Sequence, residues 1–230
     1  MTFVMIPGAG GASWYWHLVQ RQLTDRGHEV VAVDLPVGGS NGLPEYADAV
    51  ALAGAGRESI NLVAQSMGAF TAAQVARRLP VVQIVFLNAM IPLPGESPGG
   101  WWEATGQGDA MRESDLAAGR DPDAPFDMAT YFLHDLSAEL TAEIEKHGGA
   151  DSEALFGSAC DFEAWPNVPL HVMAGHDDRF FPVGFQRRVA RERLGLPIDE
   201  VDGGHLTALG HPQLIARSLE DYRSADLGRP

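Results

Sequence analysis

The chain has 230 residues, with 45% hydrophobic residues, 20% charged residues and a formal net charge of −15. This length and composition predict one globular domain with a full hydrophobic core and exclude wholesale disorder. The acidic balance disfavours nucleic acid and anionic lipid as partners because their phosphates are repelled, and the single cysteine, Cys160, excludes an internal disulfide framework.

The first eleven residues, MTFVMIPGAGG, carry no basic region, and their apolar run is too short for a signal peptide. No stretch of the sequence reaches the length of a membrane span. We therefore expect a cytoplasmic protein that does not contact a membrane.

Six short apolar runs predict the strands of a sheet. They cover residues 3–6, 30–33, 60–64, 81–87 and 170–174, with a weaker run at 197–201. Nearly continuous apolar runs are typical of strands buried on both faces, and therefore of a parallel sheet.

Apolar residues at helical spacing fill the gaps between these strands. The first pattern follows Ser13, a predicted N-cap, and the last has Pro212 in its first turn. The four stripes are Trp14, Tyr15, Leu18, Val19 and Leu23; Phe70, Ala73, Ala76 and Leu79; Phe185 and Val189; and Leu214, Ile215, Leu219 and Tyr222. The alternation predicts a doubly wound α/β fold with a mostly parallel sheet of about six strands.

Residues 89–165 interrupt this alternation. We interpret them as a helical cap inserted over the strand ends, with residues 1–88 and 166–230 forming the core. One helix is predicted, with Ser137 as its N-cap and Gly148 as its stop, on the stripe Leu133, Leu136, Leu140 and Ile144. The alternative, a long disordered loop, is disfavoured because disordered segments are poor in aromatic residues.

Ser66 is the candidate nucleophile. It directly follows the strand at 60–64 and precedes a helical stripe, which is the setting of a nucleophile elbow. The residues two places before and two places after the serine must be small, and glycine is usual at both positions. Gly68 follows this pattern, and Ala64 departs from it but is also small. The alternative is a plain turn between a strand and a helix.

His205 is the candidate base, because it lies in a glycine-flanked loop before the last helix and follows a plausible acid. His211 beside Pro212 is better explained as a surface residue at a helix start. His176 stands directly before two aspartates, and a cation at this place is explained without a catalytic role.

The acid is expected directly after the strand at 170–174, where Asp177 and Asp178 compete. Counting from Gly175 favours Asp178, and the other carboxylate then caps the loop. Some hydrolases place the acid after the preceding strand, but here that strand ends at Asn88, which lacks the negative charge needed beside an imidazolium.

Two backbone N–H groups are needed to hold an oxyanion. We assign one to Met67, after the nucleophile, and the other to Ala9 in the glycine-rich segment at 6–16. A phosphate-binding loop is the alternative for this segment, but neither GxxxxGK[ST] nor GxGxxG is present.

The segments at 6–36 and 203–212 resemble the plant methylesterase and hydroxynitrile lyase branch of the α/β-hydrolase superfamily and its bacterial relatives. The resemblance implies that Ser66, Asp178 and His205 form a catalytic triad. Pro7 stands where the branch usually has histidine. The lyases of the branch resemble one another in a threonine at the first loop and a lysine after the catalytic histidine, whereas this chain has Ala9 and Leu206.

We therefore expect a serine hydrolase that cleaves small to medium hydrophobic carboxylic esters through an acyl-enzyme, with no metal or cofactor. The pocket is expected at Trp101, Trp102, Phe126, Tyr131 and Leu206. The alternatives are a hydroxynitrile lyase or C–C-bond-cleaving enzyme with the same triad, and a non-catalytic small-molecule-binding protein. The oligomeric state stays open and includes a homodimer.

Overall fold

The centre of the computed structural model, which describes residues 2–144 and 146–227, is a parallel sheet of six strands. The strands are β1 (Thr2–Ile6), β2 (Glu29–Ala32), β3 (Ile60–Gln65), β4 (Val81–Leu87), β5 (Leu170–Gly175) and β6 (Asp199–Val201). Their order is β2-β1-β3-β4-β5-β6, and every neighbouring pair is parallel. The predicted doubly wound α/β fold is confirmed.

The central strands are buried because helices cover both faces of the sheet. Along β1, Val4 and Ile6 belong to the hydrophobic cluster on one face, whereas Phe3 and Met5 belong to the cluster on the other. This alternation follows from the period of two in a strand. It explains why the strand sequences are apolar without interruption.

The helices in the described part of the chain follow the strands and also fill the insertion. After a 3₁₀ turn at Ser13–Trp16 they are α1 (His17–Asp25), α2 (Leu43–Gly54), α3 (Gly68–Val75), α4 (Pro98–Thr105), α5 (Gln107–Ala117), α6 (Met128–Tyr131), α7 (Ala138–Ile144), α8 (Glu153–Gly157), α9 (Val183–Leu194), α10 (Thr207–Gly210) and α11 (Pro212–Leu227).

Three helix predictions need correction. Ser13 is not an N-cap, because it is the first residue of the 3₁₀ turn and Ala12 holds the capping position without a side-chain cap bond. The α3 helix ends at Val75 rather than reaching Leu79, because Pro80 disfavours helical backbone in the residue before it. Helix α2 was not predicted, although Gly42 precedes it and Glu45 Oε2 accepts the Gly42 N–H at 2.8 Å.

The insertion is helical rather than disordered, and it holds more helices than the one predicted. Ser137 Oγ accepts the Leu140 N–H at 3.2 Å at the start of α7, which confirms that N-cap. Ser97 caps α4, Asp127 caps α6 and Ser152 caps α8 in the same way. Each of these residues satisfies an N–H that the first helical turn leaves unpaired.

None of the described helices combines the length and the apolar composition that a bilayer crossing requires.

Candidate active site

Ser66 occupies the sharp turn that joins β3 to α3. Its φ is +50°, in the left-handed region that non-glycine residues rarely adopt. The Ser66 N–H donates to Leu87 O at 3.1 Å, and the Ser66 carbonyl accepts from the Met90 N–H at 3.0 Å. The surrounding backbone therefore holds a strained residue in place, as expected of functional sites.

The groups around this turn are small because the backbones approach closely. A Cβ at Gly68 would lie 2.5 Å from Pro7 O, and a Cβ at Gly8 would lie 2.8 Å from Ser66 Cβ. Ala64 is fully buried and pairs with Ile6 on one side of the sheet. The methyl group of Ala64 fits this position, so the turn forms without the usual glycine.

His205 meets Ser66 from the loop between β6 and α10. Its Nε2 lies 3.1 Å from Ser66 Oγ, and the imidazole is 1% exposed. The rings of Phe132, Phe180 and Phe181 stand edge-on to it at centroid distances of 4.9, 5.3 and 4.8 Å. These rings keep water from the imidazole and restrict its rotation.

Asp178 holds the other side of the imidazole. Its Oδ2 lies 2.8 Å from His205 Nδ1, while its Oδ1 accepts the N–H groups of Phe180 and Phe181 at 2.9 and 2.8 Å. An ionised carboxylate only accepts hydrogen bonds, so Nδ1 carries the proton and Nε2 is free to accept from Ser66. Asp177 is exposed and makes no such contact, so the geometry selects Asp178 between the two carboxylates.

Asn88 fastens the histidine loop to the sheet. It lies at the end of β4 with φ +45° and no exposed surface. Its Nδ2 donates to Gly204 O and His205 O at 3.0 Å each, and its Oδ1 accepts the Gly175 N–H at 2.7 Å. The sequence analysis rejected Asn88 as the acid and gave it no other role. Its position, a polar residue at the end of a buried strand, was the signal that could have identified it.

The insertion holds the same loop from the opposite side. Asp135 Oδ2 accepts the Gly204 N–H at 2.6 Å. Burial lowers the pKa of the neighbouring His134, and the Arg179 charge lowers it further. No sequence pattern singled out this pair.

The segment Pro7–Ala12, which we name the glycine loop, lies across from the serine. Gly10 and Gly11 adopt φ values of +81° and +63°, which glycine tolerates best. Ala9 and Met67 both line the cavity that contains Ser66. Within the described residues, neither of their N–H groups donates to another protein group, so both are available to an oxyanion.

Comparisons with known proteins identify the family of the chain. Residues 3–218 match the model of the alpha/beta hydrolase family. The chain belongs to that family. It is also 31% identical over 108 residues to methyl jasmonate esterase 1 from Vitis vinifera, a match that covers 40% of each sequence. This relative supports the predicted resemblance to the plant methylesterase branch.

Solved structures extend the likeness over the whole chain of this hydrolase. Polyneuridine aldehyde esterase matches with a TM-score of 0.77 and 21% identity, covering 96% of this chain and 98% of that one. A pyrethroid hydrolase from Sphingobium faniae matches with a TM-score of 0.77 and 20% identity, covering 100% and 99%. At these identities the likeness establishes the fold.

The cavity above the hydrolase's serine has a volume of about 550 Å³. Its lining is apolar and rich in aromatic and methionine side chains. The larger lining side chains are Trp14, Tyr15, Met67, Met90, Trp102, Met128, Phe132, Leu133, Ile144, Phe156, Phe180, Leu206 and Leu209. Among the described residues, no Asp, Glu, Lys or Arg lines it. A polar hollow of about 580 Å³ around Thr2, Glu29 and Arg57 lies elsewhere and includes neither Ser66 nor His205.

Two of the five expected pocket residues, Trp102 and Leu206, line the cavity, and three do not. Trp101 is fully buried in the core, where its indole donates to Ile91 O at 3.1 Å. Tyr131 turns its hydroxyl to the buried Asp115 at 2.6 Å. Phe126 stacks on Tyr131 and is 53% exposed. Aromatic content alone did not distinguish packing residues from lining residues.

Proposed function

We propose that this protein is a serine esterase that hydrolyses neutral hydrophobic carboxylic esters through an acyl-enzyme. The observation that carries the proposal is the chain of contacts from Ser66 Oγ to His205 Nε2 at 3.1 Å and from His205 Nδ1 to Asp178 Oδ2 at 2.8 Å. A nucleophile, a base and a group that orients the base are the parts that acyl transfer requires.

In the first half-reaction, His205 Nε2 takes the proton of Ser66 while Oγ attacks the ester carbonyl. The imidazolium that forms is stabilised by the Asp178 carboxylate, which stays ionised. The tetrahedral intermediate then collapses, His205 gives its proton to the alkoxy oxygen, and the alcohol leaves with Ser66 acylated. Water attacks the acyl group by the same route and releases the carboxylic acid.

The negative charge of the tetrahedral intermediate falls on the former carbonyl oxygen. The N–H groups of Ala9 and Met67 would hold it, since both residues line the cavity beside Ser66. Such donors act strongly because water is excluded and the backbone is already oriented.

The substrate class follows from the lining of the cavity. Apolar walls favour hydrophobic acyl or alkoxy groups, and a charged substrate would lose its hydration where no Asp, Glu, Lys or Arg of the described lining can pair with it. The volume of about 550 Å³ suits small to medium esters. The names of two similar proteins, a methyl jasmonate esterase and a polyneuridine aldehyde esterase, agree with ester substrates. Cytoplasmic location and a homodimer stay predictions.

Hydrolysis of p-nitrophenyl butyrate by the wild-type protein and by Ser66→Ala tests the proposal. We expect the variant to lose at least about 10³-fold in kcat/KM, because the nucleophile is removed. Ser40→Ala, at an exposed position, is the matched control and should keep full activity. A fluorophosphonate probe should add its mass to the wild-type protein and to Ser40→Ala only.

Three results would contradict the proposal. Equal hydrolysis by Ser66→Ala would show that Ser66 is not the nucleophile. Absence of both hydrolysis and probe labelling would favour a non-catalytic binding protein. Cyanide release from mandelonitrile without ester hydrolysis would favour the lyase instead.

A further inference from the structure

The glycine loop is braced by the insertion rather than by its own first residue. Pro7 begins the loop and has no backbone N–H to donate. Both backbone groups of Gly10 instead bond to the insertion: the Gly10 N–H donates to Asp151 Oδ2 at 2.9 Å, and the Gly10 carbonyl accepts the Gly149 N–H at 3.0 Å.

Asp151 is itself held from the core. Its Oδ1 accepts the Tyr46 hydroxyl at 2.8 Å, and Tyr46 is 1% exposed within α2. Burial raises the pKa of Tyr46, and the hydrogen bond to Asp151 raises it further, so the hydroxyl stays a donor. The half-buried Asp151 therefore connects a fixed core side chain to the peptide group that follows Ala9.

This connection bears on catalysis because Ala9 directly precedes Gly10. The Gly10 N–H shares its peptide plane with the Ala9 carbonyl, so the bond to Asp151 fixes the carboxyl side of Ala9. The Ala9 N–H lies in the preceding plane with the Gly8 carbonyl, which accepts the Gly11 N–H. Holding Gly10 therefore positions Ala9 directly and also through Gly11. The remaining bonds of the loop, Gly11 N–H to Gly8 O at 3.2 Å and Leu35 N–H to Gly11 O at 2.8 Å, lie on Gly8 and Gly11. Without Asp151, the Gly10 N–H would lose its partner, and the two consecutive glycines with positive φ would be held only by their carbonyls and by the Gly11 N–H.

We propose that Asp151 is a positioning residue for the oxyanion site: its carboxylate, oriented by Tyr46, aims the Ala9 N–H at the developing oxyanion. This inference rests on the proposed esterase function. Asp151 does not touch the substrate, since it acts through the glycine loop. The insertion thereby contributes to the chemistry as well as to the cavity wall.

The test compares Asp151→Ala, Asp151→Asn and Tyr46→Phe with the wild-type protein on p-nitrophenyl butyrate. Removing an oxyanion donor outright costs about 10²–10³-fold in kcat, so misdirecting one is expected to cost about 10–100-fold in Asp151→Ala with KM nearly unchanged. Asp151→Asn keeps an oxygen for the Gly10 N–H and should recover most of the loss. Tyr46→Phe should fall between these two.

A transition-state analogue separates positioning from general weakening of the structure. An aryl trifluoromethyl ketone forms an adduct with Ser66 whose oxygen occupies the oxyanion site. Its affinity should fall in Asp151→Ala by the same factor as kcat/KM. Asp161→Ala, an exposed carboxylate of the same insertion, is the matched control and should change neither quantity.

The inference is overturned if Asp151→Ala keeps wild-type kcat and ketone affinity while Ser66→Ala is inactive; the esterase proposal then survives alone. It is also overturned if Asp151→Asn loses as much activity as Asp151→Ala. Should Asp151→Ala fail to fold, equal activity and ketone affinity in Tyr46→Phe, Asp151→Asn and wild type would overturn it. Full activity in Ser66→Ala would overturn both proposals together.

Discussion

The two halves of the candidate site are held in different ways. Ser66, Asp178 and His205 follow β3, β5 and β6, and Asn88 at the end of β4 fastens the histidine loop to β5. The glycine loop instead depends on contacts with the insertion, which also supplies 10 of the 24 residues that line the cavity. The sheet therefore fixes the proton-transfer groups, and the insertion fixes the groups that surround the substrate.

The stabilities of the two halves should differ accordingly. Every residue of β3 is buried, whereas α7 in the insertion has no buried residue and α8 has one, Leu155. Segments with few buried apolar contacts open at lower free energy than core strands. The insertion is therefore expected to open at lower free energy than the sheet.

The largest effect is expected from a substitution in the half of the candidate site that the sheet holds. Asp178→Asn should lower kcat/KM for p-nitrophenyl butyrate by about 10³–10⁴-fold, because the amide no longer fixes the required tautomer of His205. Asp177→Asn is the matched control and should stay within about twofold, since that side chain is exposed and removed from His205. The reverse order of the two variants would show that the acid was assigned to the wrong carboxylate.

A smaller effect, on the unfolding free energy, is expected when the two attachments of the histidine loop, Asn88 and Asp135, are removed one at a time. Asn88→Gly tolerates the left-handed backbone but removes the bonds to the Gly204 and His205 carbonyls and to the Gly175 N–H. Gln65 still donates to the His205 carbonyl, so two buried groups are left unpaired, and we expect a loss of about 2–4 kcal/mol in unfolding free energy. Asp135→Ala leaves only the buried Gly204 N–H unpaired and also removes the buried Asp135 Oδ1, which has no partner among the described residues, so it should cost about 1 kcal/mol.

Urea unfolding of the two variants measures this difference, and kcat on the same samples reports the placement of His205. We expect the greater loss of kcat in Asn88→Gly. A greater loss of both quantities in Asp135→Ala would mean that the insertion, not the sheet, holds the histidine loop.

The sequence predicted the sheet half well because its signals are local. Apolar runs gave all six strands, and the order of Ser66, Asp178 and His205 along the chain identified side chains that the structure brings into contact. The role of Asn88 was not predicted: its place at the end of a buried strand was a visible signal, but the carbonyl groups to which it donates are brought to it only by folding.

The insertion was harder to predict because its helices are short and weakly amphipathic. Helix α4 buries Trp101 and α6 buries Tyr131, so both aromatic residues serve packing, whereas the same composition predicted a cavity lining. The N-caps Ser97 and Ser152 were readable signals for the missed helices. Asp151 carried no pattern, since its partners Gly10 and Tyr46 lie more than 100 positions away.

The smallest expected effect concerns Ala64, which stands where a glycine is usual. Because its methyl group is fully buried between β1 and β4, Ala64→Gly should lower the unfolding free energy by about 1–2 kcal/mol through lost packing and added chain entropy. The turnover of p-nitrophenyl butyrate should stay within about twofold, since Gly8 and Gly68, not residue 64, make the closest approaches at the turn.

Ala32→Gly in the edge strand β2 is the reference away from the turn: it adds the same chain entropy, and its partly buried methyl group loses less packing than that of Ala64. Thermal unfolding and steady-state kinetics on both variants then separate packing from catalysis at residue 64. A tenfold or greater rise in kcat for Ala64→Gly would show that the methyl group strains the elbow and displaces Ser66 Oγ. Unchanged turnover together with lower stability would show that the turn tolerates alanine at residue 64. The reason would be that the backbone hydrogen bonds of Ser66 to Leu87 and Met90 hold the strained conformation of Ser66.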